Sequence, residues 1–400
     1  MLPRLERTDL AEDFENESTI LKNYSPSIFT SSAPLPFHSV QEIGRGAQGA
    51  VDEVRLTSNN TTCVRKTWIK QVSLQAAESR FLDELKILYR LRKGHHFIQY
   101  VSSYILDLEG QEGEGEERED DTAAPSTRKV KLVEFGLLHL PRAICDLENL
   151  LGMAPQQRRD IISDAALMKA MGCLIIALHS MHQSSVRHRD VKPANILVHD
   201  RSLIFTDFGL SRDFFELSST TESHRVGTVL YWSPELQAGK RRGTKADVFA
   251  LGCVFFEIMF TLIHSTSSSE VDIASFRPYY DIGNLSRVQE WADDAKKSPE
   301  NSTLVFFWLH ACQRMLGRYP DLRVAASSVL RKLCERKNED PELASDICCD
   351  FCSMEYTAGL GLEELNKLEF DDGPWTEGID FLLCRKGPLP EANPGPSNGM

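Results

Sequence analysis

The sequence lacks an apolar run long enough to cross a membrane. Its longest one, residues 249–263, is interrupted by Glu257 and is shorter than the roughly 20 residues that a spanning helix needs. The opening residues, MLPRLERTDLAEDFENE, carry too many charges for a secretory signal. We therefore expect an intracellular protein, in the cytoplasm, the nucleus or both, with no membrane partner.

The sequence also lacks the positive charge and the cysteine spacing of two further classes of protein. Its formal net charge of -13 argues against a general binder of nucleic acid or of anionic membranes. Its 10 cysteines are scattered, mostly in apolar runs such as ALGCVFFEIM, which is typical of buried thiols and not of a disulfide framework. A CxxC occurs in CCDFC, residues 348–352, but a zinc site needs a second ligand pair. None lies nearby in the sequence, so we interpret these cysteines as structural.

The order of patterns along the chain predicts an α+β protein with two lobes. Residues 1–37 are polar and aperiodic, which favours a flexible leader, and residues 38–104 contain strand-like runs followed by one helical pattern, SLQAAESRFLDELKILYRLRK. Residues 107–129 form an acidic stretch that we interpret as a loop insert between strands, with an acidic binding segment as the alternative. The later residues are mainly helical up to about residue 334, and 335–400 form an extension that we expect to be disordered at its end.

A glycine-rich segment, GRGAQGAV, supplies Gly44, Gly46, Gly49 and Val51. Glycines let a backbone approach phosphate groups closely, but this spacing alone is a weak signal because a dinucleotide-binding turn shares it. That turn opens a helix, whereas here the strand-like run AVDEVRL follows. A hairpin that covers a nucleotide is therefore the better interpretation, and an ordinary flexible turn is the alternative.

A lysine and a glutamate follow this hairpin. Lys66 ends the strand-like run CVRK, and Glu84 lies on the predicted helix after it. A buried lysine needs an anionic partner, so Glu84 would hold Lys66 over phosphates. The alternative is a solvated lysine on an edge strand.

Further motifs follow in the chain, and together they resemble the eukaryotic protein kinases. The segment VRHRDVKPANILV precedes a DFG at residues 207–209, an SPE at residues 233–235 and the apolar helix pattern ADVFALG. With the glycine segment and the strand lysine, these are the motifs of that family in the family's order, over about residues 38–334. The resemblance implies a two-lobed fold with a small β-rich lobe carrying one regulatory helix and a large helical lobe, like a stand-alone kinase of a fungal-type or other divergent branch.

The resemblance implies a role for each motif residue. Asp190 would accept the proton of the substrate hydroxyl, Lys192 would steady the transferred phosphate, and Lys66 oriented by Glu84 would bind the other phosphates of ATP. Asn195 and Asp207 would hold Mg²⁺. The nucleotide site would be lined by Gly44, Gly46, Gly49, Val51, Val64, Lys66 and Leu197.

The resemblance favours protein Ser/Thr hydroxyls as the substrate. Lys192 in the DxKxxN spacing and Thr228 both look like the Ser/Thr type of kinase. It also implies a buried Glu235–Arg323 ion pair and an anchoring role for Asp247. A scaffold without turnover and a small-molecule phosphotransferase on the same fold are the alternatives.

The resemblance also suggests regulation through the activation segment, residues 207–235. Arg80, Arg189 and Arg212 would converge on a phosphate, most simply on Ser223, with Thr221, Thr220 as further candidates. An upstream kinase or autophosphorylation would supply that phosphate. The alternative is that the arginines are solvated or paired with acidic residues.

Two departures from the family's pattern concern the adenine pocket. Val64 stands where the family usually has alanine, which would narrow the pocket. The connection between the lobes is unusual, and we place it near residues 138–143, with His139 at the position that limits access to the pocket.

Overall fold

The structure is a computed structural model of the 400-residue chain. It describes residues 26–30, 34–46, 49–70, 74–107, 133–213, 227–264, 272–298, 302–339 and 347–353. Nearly all of the acidic insert, most of the activation segment, including Ser223, Thr221 and Thr220, and the chain beyond residue 353 lie outside these ranges.

The small lobe is built on a six-stranded sheet with one long helix. The order of the strands across the sheet is β1-β5-β6-β4-β3-β2. The helix, α1, spans Leu74–Leu91. The strands are β1 (Ser27–Thr30), β2 (Phe37–Gly46), β3 (Gly49–Leu56), β4 (Thr62–Lys70), β5 (Gln99–Asp107) and β6 (Val133–Leu140).

The large lobe is mainly helical, as the sequence predicts. Its helices are α2 (Leu147–Leu151), α3 (Pro155–Ile161), α4 (Asp164–Gln183), α5 (Pro234–Gln237), α6 (Thr244–His264), α7 (Ile282–Lys296), α8 (Thr303–Met315) and α9 (Ala326–Glu339). Its short strands are β7 (Cys145–Asp146), β8 (Val186–Arg187), β9 (Ile196–His199), β10 (Ser202–Phe205) and β11 (Arg212–Asp213). The two-lobed α+β fold is thus confirmed.

Part of the expected leader is a strand. β1 pairs in parallel with β5, with Ser27 opposite Tyr104 and Thr30 opposite Asp107. The ring of Phe29 lies edge-on to that of Tyr104, with ring centroids 6.2 Å apart. Four residues are too few for a recognisable alternation, and their partner strand supplies both the hydrogen bonds and the apolar contact. The prediction of an aperiodic leader up to residue 37 is therefore wrong for Ser27–Thr30.

The helix α1 joins the sheet to the large lobe. Leu85, Leu88 and Leu91 are buried, at the helical spacing that the sequence shows. The loop after the helix is hydrogen-bonded to β10, because the Phe205 amide donates to the His96 carbonyl and the Ile98 amide donates to the Phe205 carbonyl, both at 2.9 Å. The end of α1 is therefore fixed to the strand that leads into the DFG segment.

Two helices of the large lobe, α4 and α6, are long and apolar enough to cross a membrane by length and composition alone. In this fold 67% and 83% of their most apolar windows are buried. Such burial is what the core helices of a helical lobe show, since an all-round apolar helix must be covered.

A buried ion pair joins the segment after the cleft to the end of the large lobe. Arg323, fully buried, donates two hydrogen bonds to Glu235, at 2.7 Å and 2.8 Å. It also donates to the carbonyl of Gly317 at 2.8 Å. Burial opposes the charge on Glu235, but the hydrogen bonds from Arg323 hold the pKa of its carboxyl below the usual value.

We expect Glu235→Gln to lower the free energy of unfolding by about 3–5 kcal/mol, because it leaves the buried Arg323 charge uncompensated. The measurement is urea or thermal unfolding of the full chain. The matched control is Asp294→Asn, which removes an exposed pair with Lys297 (N to O, 2.7 Å) and should leave the transition where it is. Equal shifts in the two variants would contradict the role given to Glu235.

Candidate active site

One carboxylate anchors the backbone of the loop between β8 and β9. Asp247, buried on α6, accepts hydrogen bonds from the backbone amides of His188 and Arg189, both at 2.9 Å. Arg189 has a positive φ of 72°, so the chain turns sharply there. Burial opposes the charge on Asp247, yet hydrogen bonding and the positive charges around it lower the pKa of its carboxyl to about 2. The anchoring role inferred from the resemblance is therefore borne out by geometry.

Asp190 lies directly after this anchored turn, and its two carboxylate oxygens have different partners. Its Oδ1 accepts the backbone amide of Thr228 at 2.7 Å. Its Oδ2 accepts from the Asn195 amide at 3.0 Å and pairs with Lys192 Nζ at 3.0 Å. The Lys192 ammonium also donates to the Thr228 hydroxyl at 2.7 Å. Four predicted residues therefore meet at one carboxylate.

A second cluster lies where the sheet, α1 and the DFG segment meet. Lys66 Nζ is 3.3 Å from Glu84 Oε1 and 2.7 Å from Asp207 Oδ1. Glu84 is 5% exposed, whereas the side chain of Asp207 is 38% exposed. The sequence predicts the pair with Glu84; it does not predict that Asp207 shares the same ammonium.

The electrostatics of this cluster follow from burial and from the shared cation. Burial opposes the charge of Lys66, but Glu84 and Asp207 outweigh it and raise the pKa of the ammonium above its ordinary range. Burial raises the pKa of Glu84, while Lys66 outweighs burial at Asp207 and lowers the pKa of that carboxyl. The result is a lysine that stays charged at the edge of a cleft, suited to binding phosphate oxygens.

The DFG segment is fixed by aromatic packing behind the cleft. Asp207 is in the left-handed region, with φ of 61°. The next residue, Phe208, is buried against His188 and Phe97, with ring centroids 5.1 Å and 6.2 Å away. Leu88 of α1 belongs to the same buried cluster. His188 and Phe208 are therefore packing residues.

The glycine-rich segment forms a hairpin. Gly46 at the end of β2 is paired with Gly49 at the start of β3, so no helix follows the glycines. Gly49 has a φ of 149°, and a Cβ there would lie 1.9 Å from the Thr67 carbonyl oxygen. Gly44 precedes the turn on β2, opposite Val51. The dinucleotide-binding alternative is thus excluded by the topology.

The residues predicted to line the adenine pocket lie on both lobes. Val51 is paired with Lys66, and Val64 with His139 of β6. Leu197 lies on β9, in the large lobe, and is partly buried against the core. His139 is itself buried, and burial together with the charge of Lys66 lowers the pKa of its imidazole to about 3. The residue expected to limit access to the adenine pocket is therefore a neutral histidine.

One surface near Asp190 was not predicted from the sequence. Val229 and Leu230, directly after Thr228, are 47% and 40% exposed. Leu230, Glu148 and Arg277 line a concavity that also includes Lys192 and Thr228. Apolar residues in a sequence are usually interpreted as core residues. In VLYW, the only sequence signal for an exposed site is that the segment directly follows Thr228.

Of the three arginines of the predicted phosphate pocket, Arg189 has its side chain in the described part of the structure. Arg80 lies on α1 and Arg212 on β11, but their side chains are outside the described part of the structure. The backbone of Arg212 is paired with that of Arg187, just before the loop that carries Arg189. The backbone thus brings Arg212 close to Arg189.

Comparison with known sequences gives a family for this geometry. The sequence model of the protein kinase domain matches residues 37–334. The chain is 25% identical over 313 residues to the interferon-induced, double-stranded RNA-activated protein kinase of Mus musculus, covering 78% of this chain and 53% of that protein. It is 30% identical over 203 residues to cyclin-dependent kinase 2 of Caenorhabditis elegans, covering 46% of this chain and 54% of that protein.

A bacterial relative matches a shorter stretch. The chain is 38% identical over 109 residues to the serine/threonine-protein kinase PknB of Mycobacterium leprae, covering 27% of this chain and 16% of that protein. The chain therefore spans about half, or less, of the length of these relatives.

The lowered pKa of Asp247 predicts a pH-dependent contribution to stability. A carboxyl whose pKa falls from 3.8 to about 2 on folding stabilises the fold above pH 4 and loses that contribution as the pH falls towards 2. We expect the stability difference between the wild type and Asp247→Asn to include about 2 kcal/mol that shrinks below pH 4. Unfolding in urea at a series of pH values measures it. A difference that stays constant down to pH 3 would contradict the assignment.

Proposed function

Because the chain belongs to the protein kinase family, we propose that it transfers the γ-phosphate of ATP to Ser/Thr hydroxyls of protein substrates. The observation that carries this proposal is the carboxylate of Asp190, held by the Thr228 amide and paired with Lys192 on an anchored loop. An acid in this position accepts the proton of a hydroxyl group while Lys192 offers positive charge beside it.

The proposed step balances as a simple displacement. The substrate oxygen forms a bond to the γ-phosphorus, the bond from that phosphorus to the bridging oxygen breaks, and ADP leaves. The hydroxyl proton goes to Asp190. The chain supplies position and charge, since phosphoryl transfer needs little covalent help from the protein.

The residues present fit a nucleotide phosphate chain and a hard cation. Lys66 is a partly buried, charged ammonium at the cleft, and the paired Gly46 and Gly49 have no side chains that would keep phosphates away from the hairpin backbone. Asn195 uses its amide nitrogen to bond Asp190, which leaves its carbonyl oxygen as the atom available to a cation. With Asp207 it offers the oxygen ligands that Mg²⁺ prefers, and the bound ion would neutralise phosphate charge.

A protein substrate is favoured over a small molecule by the surface beside Asp190. Val229 and Leu230 are exposed next to Thr228, and such adjacent apolar side chains suit contact with a polypeptide. The direct hydrogen bond from Lys192 to Thr228 supports Ser/Thr hydroxyls as acceptors, as the resemblance implies. Two of the relatives are named as serine/threonine-protein kinases, which agrees with this choice.

The compartment and the partners are also proposals. We place the protein in the cytoplasm or nucleus and expect no nucleic-acid or membrane partner, since the net charge of -13 disfavours binding to both.

The central test is Asp190→Asn in the full chain. We expect it to lower phosphate transfer from labelled ATP to a basic protein mixture by roughly a hundredfold or more, with ATP binding retained, because the proton acceptor is lost. The matched control is Asp200→Asn, the same change at an exposed acidic residue in the turn after β9. It should behave as wild type, and mass analysis should find the product on serine or threonine.

Other results would contradict the proposal in distinct ways. ATP binding without transfer, in protein already phosphorylated on residues 214–226, would indicate a scaffold without turnover. Transfer to small alcohols but not to protein would indicate a small-molecule phosphotransferase. Transfer unchanged by Asp190→Asn would remove Asp190 from the role of proton acceptor.

We also propose that phosphorylation near Ser223 activates the protein, by an upstream kinase or by autophosphorylation. Arg189 of the anchored loop and the backbone of Arg212 lie on neighbouring segments, which supports a shared phosphate pocket. A phosphate there would stabilise the position of α1 in which Glu84 pairs with Lys66, the arrangement that this structure has.

The prediction is that Ser223→Ala lowers activity at least tenfold, whereas Ser218→Ala in the same segment does not. Mass spectrometry of active protein should find phosphate at Ser223 or, failing that, at Thr221 or Thr220. Fully active protein without phosphate on any of these residues would contradict the proposal.

A further inference from the structure

A short piece of the chain beyond the matched domain packs onto the back of the large lobe. In residues 347–353, Ile347, Cys348 and Cys352 are buried. The carbonyl oxygen of Ile347 approaches α4 at Gly172 so closely that a Cβ at that glycine would lie 1.8 Å from it. The ring of His95 also lies against that of Phe351. This piece is therefore docked against α4 and against the loop that follows α1.

Four potential metal ligands meet where this piece docks. His96, Cys173, Cys349 and Cys352 each offer a ligand atom, and these atoms lie within 4.8 Å of one another. All but Cys349 are buried, and Cys349 is half-buried. Two contacts hold the group together: Cys349 Sγ is 3.5 Å from His96 Nε2, and the Cys349 amide donates to Cys173 Sγ at 3.2 Å.

The spacing is that of a tetrahedral zinc site. Ligand bonds of about 2.3 Å to sulfur and about 2.0 Å to nitrogen place the ligand atoms roughly 3.5–3.8 Å apart in a tetrahedron. The 3.5 Å between Cys349 and His96 already has this value. The outer limit of 4.8 Å is about 1 Å larger, a difference that small side-chain rotations can remove.

The Nδ1 atom of His96 has the kind of hydrogen-bond partner that metal-binding histidines have. His96 Nδ1 lies 3.0 Å from the Leu203 carbonyl oxygen, with the Ser202 hydroxyl at 3.3 Å. A carbonyl can only accept, so Nδ1 carries the hydrogen and donates it. The lone pair of a neutral ring is then on Nε2, the nitrogen that faces Cys349. Metal-binding histidines are oriented in this way by a backbone carbonyl.

We propose that His96, Cys173, Cys349 and Cys352 bind one Zn²⁺ in a closed Cys₃His site. Three thiolates and one imidazole in a compact group favour zinc over the hard cations, which prefer oxygen. With four protein ligands no position is left for a substrate, so the site is structural. It is separate from the nucleotide cleft and does not depend on the proposed phosphotransfer.

The CxxC that the sequence presents is thus half of the site. The second pair is missing from its neighbourhood because Cys173 and His96 lie 176 and 253 positions before Cys349. The metal would join three parts of the fold: the loop after α1, α4 and the piece beyond α9. Because the His96 carbonyl accepts the Phe205 amide, the metal would also stiffen the strand that leads to Asp207.

The test measures zinc by mass spectrometry in the purified full chain after dialysis against a mild chelator. We expect about one ion per chain in the wild type, and at least tenfold less in Cys173→Ala, Cys352→Ala and His96→Ala. The matched control is Cys348→Ala, a buried cysteine of the same piece outside the ligand group, which should keep its zinc. His96→Cys should also keep it, because four cysteines form a zinc site as well.

A second measurement covers the case in which a ligand variant does not fold. Chelator-stripped wild-type chain should melt at a lower temperature than the zinc-loaded chain, and added Co²⁺ should give the absorption of tetrahedral thiolate coordination. Wild-type chain that holds no zinc and gives no such absorption, or that contains a disulfide between two of these cysteines in reducing conditions, would overturn the proposal. So would zinc that is retained by Cys173→Ala and Cys352→Ala.

Discussion

The arrangement of the cleft depends on the ion pairs made by the ammonium group of Lys66. It pairs with Glu84 of α1 and with Asp207 of the large lobe, so that a strand, a helix and the DFG segment meet at one cation. Removing one member of this group leaves a carboxylate or an ammonium without its partner, which is most unfavourable at the buried Glu84. The position of α1 is therefore tied to the state of the cleft, and phosphates that enter it compete for the same positive charge.

The rest of the site divides between buried anchors and accessible groups. Asp247 and Arg323 are buried and act on backbone amides, carbonyls and one buried carboxylate. Lys66 and Asp207, by contrast, keep 22% and 38% of their side chains exposed. Buried anchors fix the loops within the tolerance that phosphoryl transfer needs, and the exposed groups remain available to ligands.

The sequence predicts those parts of the site whose chemistry demands a fixed local spacing. Asp190, Lys192 and Asn195 lie within six residues, so one loop determines their arrangement and the motif identifies it. The shared contact of Lys66 with Asp207, 141 positions away, depends on how the lobes close. The strand Ser27–Thr30 and the group around Cys349 were missed for the same reason, since their partners are distant in the chain. The exposure of Leu230 was missed because the sequence alone does not show whether a single apolar residue lies on the surface or in the core.

The short strand β1 has a consequence for how the protein behaves among other copies of itself. It pairs with the last four residues of β5, Tyr104–Asp107, which would otherwise be unpaired at the border of the sheet. A free strand border is a template for pairing with another chain and for aggregation. A chain that lacks residues 1–33 would thus keep its catalytic residues and yet be more prone to self-association.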